Sequence, residues 1–210
     1  MSLSVDLPEP TKKRMIQLLQ ILKSWSSEKI TSMAISNATG WKDSLIRHDL
    51  WLVGFGKGVS NGYYVKELIE TLTQILGLEL EQNAENQTSV KRNCCIVGLG
   101  RLGAALLDET LVDGSPFVIK AGFDSNVNRV EILRSTFPLY PASEMDWVIK
   151  REKIEYAILT VQDSSAQQMH NRLVKAGIKG IVNMTNVVLT VPDGVKIENL
   201  SIVNALKMVI

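Results

Sequence analysis

The residues best suited to chemistry in this sequence form a glycine-rich turn, Gly98-Leu99-Gly100-Arg101-Leu102-Gly103. A short apolar run at 94–97 precedes the turn, an Ala- and Leu-rich segment follows it, and a second apolar run at 117–123 ends in Asp124. A lone GxGxxG sequence is weak evidence, but a strand before it, a helix after it and an acid about 20 residues further on complete the dinucleotide-binding pattern. We therefore predict a strand-turn-helix-strand unit that binds a dinucleotide. The alternative is a glycine-rich turn that binds nothing.

Each position of the turn has its own task in this interpretation. Gly98 turns the chain off the strand, Gly100 lets the backbone approach a pyrophosphate, and Gly103 lets the helix pack on the sheet. The helix N-terminus would direct N–H groups at the phosphates, with the Arg101 guanidinium nearby. Asp124 would accept hydrogen bonds from the ribose hydroxyls and repel a 2′-phosphate, so the pattern favours NAD(H) over NADP(H).

Cysteine and histidine are scarce. Cys94 and Cys95 are adjacent on a predicted strand, so their side chains point to opposite faces. Together with His48 and His170 they supply too few ligands for a metal site, and we predict none. We interpret both cysteines as strand filler, with a redox thiol as the alternative. His170 is expected at an exposed position of a helix.

Composition indicates a globular protein of one or two domains. The 210 residues are 45% hydrophobic and 21% charged, and the net charge of +1 gives no overall attraction to nucleic acid. Residues 10–60 nevertheless carry eight Lys or Arg against three Asp or Glu. No apolar run approaches the ~20 residues that span a bilayer, and residues 1–10 lack a signal-peptide core. We predict a cytoplasmic protein with no membrane partner.

Apolar residues at helical spacing predict three helices in the first third of the chain. They cover 11–23, a short segment that Thr31 or Ser32 caps and Gly40 closes, and a segment that begins near residues 41–42. A longer helix followed by two short ones joined at a glycine turn is typical of a helix-turn-helix motif.

The third helix would read DNA. Its inner side is predicted to hold Leu45, Ile46, Leu50 and Leu52. Its polar side holds side chains that can bond base edges or phosphates in a major groove: Lys42, Ser44, Arg47 and His48. A three-helix packing unit with a solvated charged face is the alternative.

The segment after the third helix favours the DNA-binding interpretation. Residues 54–64 are too glycine-rich for a helix and predict a β-hairpin, the wing of a winged helix, with Lys57 at its tip able to touch a phosphate. A fourth helix is predicted over 65–76, with Gly77 ending it. The polar stretch 79–92 shows no periodicity and is expected to link two domains.

The rest of the chain alternates predicted helices and strands, which indicates a doubly wound parallel sheet. Helices are expected over 126–133, 142–151 and 164–176, with Ser164 as an N-cap, and strands over 156–161, 180–183, 187–190 and 195–197. Nicotinamide would lie near the carboxyl ends of the strands, around Thr160, Val161, Gln162 and Asn183. The apolar segment 202–210 needs a partner, for which a second subunit is the natural choice.

Several segments together carry a resemblance to a known family: Pro8-Glu9-Pro10-Thr11, Arg47-His48-Asp49-Leu50, Gly62-Tyr63, Ile75-Leu76-Gly77-Leu78, the glycine-rich turn, Phe123-Asp124, Thr160-Val161, Ala176-Gly177-Ile178-Lys179-Gly180-Ile181 and Val191-Pro192. Over nearly the whole chain the sequence resembles the Rex family of bacterial redox-sensing transcriptional repressors. The resemblance implies a homodimer that binds a palindromic operator in double-stranded DNA when NADH is low and releases it when NADH binds. It implies no catalytic residue.

The resemblance also implies a domain plan and a set of site residues. An α/β chain would comprise a winged helix-turn-helix domain (1–78), a linker (79–92), a Rossmann NAD-binding domain (93–200) and a terminal helix (201–210) exchanged between subunits. NADH or NAD⁺ would contact Gly98, Leu99, Gly100, Arg101, Leu102, Gly103, Asp124, Thr160, Val161, Gln162 and Asn183. DNA would contact Lys42, Ser44, Arg47, His48 and Lys57.

The chain departs from the family pattern at His48 (usually Lys), Val59 (Arg), Gln162 (Pro), Thr185-Asn186 (Ala-Pro), Gln20 (Arg) and Ser201 (Asp). The first two changes remove charged contacts and are expected to weaken phosphate binding or alter operator choice. The last two remove a pair that couples cofactor state to DNA affinity in the family. A regulator of the same fold that senses another adenine nucleotide is one alternative. An NAD-dependent oxidoreductase is another, although it would need an acid or base beside the nicotinamide.

Overall fold

A computed structural model describes residues 7–56, 62–78, 81–82 and 89–210 of the chain. The chain divides into two compact units, Met1–Glu79 and Leu80–Ile210.

In its described residues, the N-terminal unit is a small helical fold with one short ladder of strands. Its helices are α1 (Glu9–Lys23), α2 (Ser32–Thr39), α3 (Asp43–Leu52) and α4 (Val65–Ile75), and strands β1 (Lys29–Ile30) and β2 (Tyr63–Tyr64) pair antiparallel. All four helices contribute to one core, which includes Leu18, Leu22, Ile35, Ile46, Leu50, Leu68 and Leu72. Burial of these side chains at helical spacing is what stabilises four short helices.

The predicted ends of α2 and α4 are confirmed. The Thr31 hydroxyl accepts a hydrogen bond from the Ala34 N–H at 3.1 Å, and so caps α2. Gly40 (φ 74°) follows α2 and Gly77 (φ 63°) follows α4, both in the left-handed region that glycine adopts without strain.

Two expectations for this unit are corrected. Leu45 is 36% exposed, because the inner stripe of α3 is formed by Ile46, Asp49 and Leu50. The segment 54–56 is not a strand. The Phe55 N–H instead donates to the Leu50 carbonyl at 2.8 Å, in the turn that ends α3. β2 instead pairs with β1. The remainder of the predicted hairpin, including Lys57 and Val59, lies outside the described residues.

The C-terminal unit begins with a short ladder inside the segment predicted to be a plain linker. Strands β3 (Glu81–Gln82) and β4 (Ser89–Val90) pair antiparallel, and Arg92 already belongs to the next strand.

A six-stranded parallel sheet forms the body of this unit. Its strands are β5 (Arg92–Val97), β6 (Phe117–Asp124), β7 (Leu139–Pro141), β8 (Tyr156–Leu159), β9 (Gly180–Asn183) and β10 (Lys196–Asn199), in the order β10-β9-β8-β5-β6-β7. The helices are α5 (Arg101–Ala104), α6 (Val127–Ile132), α7 (Met145–Arg151), α8 (Asp163–Ala176) and α9 (Ile202–Lys207). The strand order reverses between β5 and β8, which is where doubly wound sheets bind nucleotides.

Apolar side chains cover both faces of the sheet. Cys95 lies in a cluster with Val97 and Phe123, whereas Cys94 lies in a second cluster with Ile96. The two cysteines therefore face opposite layers, as the alternation of a strand requires.

Several predicted elements of this unit are wrong in detail. The helix after the glycine turn is a single turn, because Leu106 N–H bonds the Gly103 carbonyl and the Asp108 carboxylate then caps a new 3₁₀ turn. Residues 187–190 are not a strand, since β10 already occupies the position beside β9. α8 begins at Asp163, so Ser164 is not its N-cap. His170 is only 2% exposed because it lies on the inner face of α8 with Ala166 and Leu173.

Candidate functional site

Two glycines of the turn are required by the protein's own backbone. Gly98 has φ 96°, and a Cβ at this position would lie 2.7 Å from the backbone nitrogen of Val161. A Cβ at Gly103 would lie 1.8 Å from the Gly98 carbonyl oxygen. Any side chain at either position would force the turn, α5 and the end of β8 apart.

Gly100 is a glycine for which the fold gives no internal reason. Its φ of −66° is open to every residue, and a Cβ there would meet nothing within 4 Å. No steric conflict within the protein requires a glycine at this position, which follows the carboxyl end of β5. The missing side chain leaves room for close approach of a ligand. This open space is compatible with the predicted approach of a diphosphate to the backbone, which stays a prediction.

The end of β8 is bound to the glycine turn. The Thr160 hydroxyl lies 2.6 Å from the Gly98 carbonyl oxygen and 3.1 Å from that of Val97, so one O–H joins the two strand ends at the reversal of the sheet. Val161 is half-buried and Gln162 is exposed at the start of α8. Of the predicted site residues, Thr160 and Val161 lie beside the turn, and Gln162 follows them in the chain.

Asp124 ends β6, as predicted, and its carboxylate already has hydrogen-bond partners within the protein. Its carboxylate is 5% exposed and accepts hydrogen bonds from the backbone N–H groups of Leu99 at 2.6 Å and Asn126 at 2.7 Å. The Arg129 guanidinium lies 3.4 Å from the same Oδ2 that Leu99 uses. Asp124 thus holds the glycine turn against β6, and its charge is compensated from within, so the simple repulsion of a 2′-phosphate is weakened.

Asn183 is also a supporting residue in this structure. Its buried side-chain oxygen accepts from the backbone N–H and the hydroxyl of Thr185, and its Nδ2 donates to the Val187 carbonyl and to Asn199 Oδ1, all within 3.1 Å. Because these bonds satisfy the whole amide, Asn183 shapes the loop that follows β9.

Neither cysteine is placed to react. Burial raises the pKa of the Cys94 thiol to about 11 and raises that of Cys95 further. Since the thiolate is the reactive form, this supports the interpretation as strand filler. Across the described ranges, no three His, Cys, Asp or Glu side chains are grouped so that they could hold a metal ion.

The predicted DNA-reading side chains at the start of α3 and along it are all exposed, whereas Lys57 lies outside the described residues. Lys42 immediately precedes α3, and Ser44, Arg47 and His48 lie on its outer side. Arg47 Nη2 is 2.6 Å from the Asp43 carboxylate, one helical turn earlier. Cations and hydroxyls on one face of a short helix are the groups that contact phosphates and base edges.

Sequence reasoning missed a buried polar clamp beneath this surface. Asp49, on the inner side of α3, accepts from Thr11 Oγ1 at 2.9 Å and from Arg14 Nε and Nη2 at 2.5 and 3.0 Å. The hydrogen bond to Asp49 raises the pKa of Arg14. The available signal was an acid three residues after Ile46, on an otherwise apolar stripe.

None of the helices in the described part of the chain has the length and apolar character needed to cross a membrane.

Comparison with known proteins finds relatives over nearly the whole chain. A family model for a CoA binding domain matches residues 89–187. The chain is 31% identical over 207 residues to the redox-sensing transcriptional repressor Rex of Limosilactobacillus reuteri (strain DSM 20016), covering 97% of this chain and 92% of the relative. It is 32% identical over 202 residues to the protein of the same name from Porphyromonas gingivalis (strain W83), covering 95% and 88%.

Solved structures of RSP, a Rex-family repressor, are similar over the same length. RSP alone gives a TM-score of 0.82 at 31% identity, covering 97% of this chain and 91% of RSP. RSP in complex with β-NAD⁺ and operator DNA gives 0.83 at 31% identity, covering 97% and 90%. RSP in complex with β-NADH gives 0.81 at 31% identity, covering 97% and 92%.

Proposed function

Because this chain belongs to the Rex family of redox-sensing transcriptional repressors, we propose that it binds operator DNA and releases it when NADH occupies the glycine turn. It senses the NADH/NAD⁺ ratio and represses transcription when NADH is low. The main observation in favour of nucleotide binding is the open space at Gly100, beside the point where the strand order of the sheet reverses.

We assign the nucleotide site to the turn and the strand ends around it. The backbone of residues 98–103 and the Arg101 guanidinium contact the diphosphate, and residues 160–162 contact the nicotinamide. Asp124 and Asn183 act by holding the turn and the loop after β9, and a ribose contact by Asp124 would use its remaining acceptor capacity.

DNA binding is assigned to the outer side of α3, with Lys42, Ser44, Arg47 and His48 as the contacts. Lys57, which belongs to the predicted wing, is retained as a contact. Two copies are needed to place two recognition helices about 34 Å apart on a palindrome. We assign the homodimer contact to residues 201–210, because Ile202, Val203 and Leu206 of α9 are exposed apolar side chains.

The protein is proposed to act in the cytoplasm as a regulator with no catalytic activity. Within the described residues, His48 lies on the DNA-reading side of α3 and His170 is buried in α8. The domain plan is 1–78 for DNA, 93–200 for the nucleotide and 201–210 for the partner, with the β3–β4 ladder in the connecting stretch 79–92.

A DNA-selection assay with the purified protein, with and without NADH, tests this function. We expect NADH to lower affinity for the selected operator several-fold or more. Arg47→Ala should abolish operator binding and leave NADH affinity intact. If NADH changes operator affinity by less than about twofold, below the usual coupling range, the redox role is lost. Calorimetry with NADH, NAD⁺, NADP⁺ and ATP then decides which nucleotide the turn binds.

A further inference from the structure

A chain of hydrogen bonds leads from the nucleotide side of the sheet to the terminal helix. The backbone N–H of Asn186 donates to Asp163 Oδ1 at 3.0 Å, and its side-chain Nδ2 donates to Asp163 Oδ2 at 3.4 Å. The Ser201 hydroxyl donates to Asn186 Oδ1 at 2.9 Å. One asparagine therefore bonds both the first residue of α8 and the residue before α9.

Ser201 is the N-cap of α9. Its hydroxyl oxygen accepts from the Asn204 N–H at 3.3 Å while its O–H is used by Asn186. A helix of six residues depends strongly on such a cap, because it has few internal hydrogen bonds. The orientation of Asn186 therefore affects both the direction and the stability of α9.

The loop that carries Asn186 is firmly supported from below. Buried Asn183 bonds Thr185 on one side and Val187 on the other, and the Leu200 N–H donates to the Asn183 carbonyl at 2.8 Å. The loop and the start of α9 are thus fixed to the same strand end. Asp163 and Ser201 therefore share one hydrogen-bond partner, Asn186.

We propose that Asn186 is a positioning residue that couples the nucleotide site to the C-terminal helix. Asp163 directly follows Gln162, which is assigned to the nicotinamide contact, and this inference rests on that proposed function. A nucleotide that moves the start of α8 breaks or tightens the Asp163–Asn186 bonds and so changes the cap of α9. Because α9 is the proposed dimer contact, the spacing of the two DNA-reading helices responds.

The test compares Asn186→Ala with Asn171→Ala in the full chain. Asn171 is an exposed asparagine of α8 whose side-chain oxygen accepts from Gln167 Nε2 at 2.9 Å and lies 3.1 Å from His170 Nδ1, and it takes no part in the Asp163–Asn186–Ser201 bonds. We expect Asn186→Ala to reduce the NADH-dependent change in operator affinity about three- to tenfold, within the range of single couplings, and Asn171→Ala to leave it unchanged. Ser201→Ala should match Asn186→Ala, and the double variant should add little to either.

Hydrogen exchange of ligand-free protein gives a second readout. Asn186→Ala should speed exchange of the Ala205 amide, which bonds the Ser201 carbonyl in the first turn of α9, at least about threefold. If the operator affinity of the wild-type protein did not change with NADH, the proposed function would be wrong. The exchange comparison would still decide whether Asn186 stabilises α9. Exchange and NADH response equal to those of Asn171→Ala would overturn the inference.

Discussion

At the scale of single residues, the glycines of the turn fall into those that the fold requires and one that a ligand would require. Gly98 and Gly103 lie where a Cβ would strike backbone atoms, so the fold itself demands them. Gly100 lies in open space with an ordinary φ. The same residue type is thus required for two physical reasons, and only the second concerns a ligand.

Alanine substitution distinguishes these two reasons. Gly103→Ala should lower the free energy of unfolding by about 2 kcal/mol or more, because the added methyl overlaps the Gly98 carbonyl. Gly100→Ala should change it by no more than about 0.5 kcal/mol and weaken NADH binding at least about tenfold. Urea unfolding and calorimetry measure the two effects. Normal NADH affinity in Gly100→Ala would contradict the assignment of the open space to the diphosphate.

Removing the Asp43 charge that holds Arg47 is expected to raise the affinity for DNA. Asp43 holds Arg47 at 2.6 Å in an exposed i,i+4 pair, which contributes only about 0.3–0.5 kcal/mol to the helix. Asp43→Asn removes a negative charge from the DNA-reading side and releases the guanidinium. Operator affinity should rise about two- to fivefold, with a steeper dependence on salt.

Fluorescence anisotropy at two salt concentrations checks the Asp43 prediction. The matched control is Asp146→Asn, which breaks a comparable exposed pair with Arg172, 3.0 Å apart, in the C-terminal unit. That variant should bind DNA as the wild type does. An equal gain in both variants would indicate a general charge effect.

At the scale of elements, the orientation of α3 depends on a buried charge. Asp49 is buried and is bonded by Thr11 and Arg14 of α1, so α3 is fixed to α1 by directional bonds as well as by apolar packing. Directional bonds select one rotation of a short helix where packing alone tolerates several.

Asp49→Asn tests this clamp. The change leaves the Arg14 charge without its partner, and we expect the N-terminal unit to lose about 3 kcal/mol of stability. Native-state hydrogen exchange of α1 and α3 resolves this unit from the rest of the chain. Glu152→Gln, which breaks an exposed contact with Arg151 at 2.7 Å, is the control and should change stability by less than about 0.5 kcal/mol. Unchanged exchange in Asp49→Asn would show that apolar packing alone positions α3.

At the scale of the whole molecule, the terminal helix has an apolar surface that the described residues of its own chain leave exposed. Leu206 is 62% exposed, and Ile202 and Val203 beside it are also exposed. Side chains of this type on a six-residue helix are stable only when another surface covers them. In a twofold dimer, two α3 helices would contact one operator at the same time, and avidity would multiply the affinity.

Leu206→Asp should therefore convert the dimer to a monomer and weaken operator binding at least about 100-fold, through the loss of avidity. NADH affinity should stay within about threefold, because the glycine turn and the end of β8 belong to one chain. Analytical ultracentrifugation and anisotropy measure the two effects. Ile132→Asp, which changes a 77% exposed residue of α6, should leave the dimer intact. A dimer that persists in Leu206→Asp would place the subunit contact elsewhere.

The sequence by itself determined most of the helices, the central strands and most of the turn chemistry. Helical periodicity, the Thr31 cap and the glycines at 40, 77 and 98 are local properties, encoded within a few residues of where they act. The same local reasoning placed the glycine turn between two strands and the polar side of α3 toward solvent. Both were found as predicted.

Only the tertiary structure decided which polar groups are already satisfied. The Asp124 carboxylate accepts from Leu99, the Asn183 amide bonds its own loop, and the Asp49 carboxylate accepts from α1. His170 faces the core and not solvent. The strand expected at 187–190 is absent because β10 pairs beside β9. These outcomes depend on residues distant in the chain that compete for the same hydrogen bonds and the same space, and a local pattern carries no record of that competition.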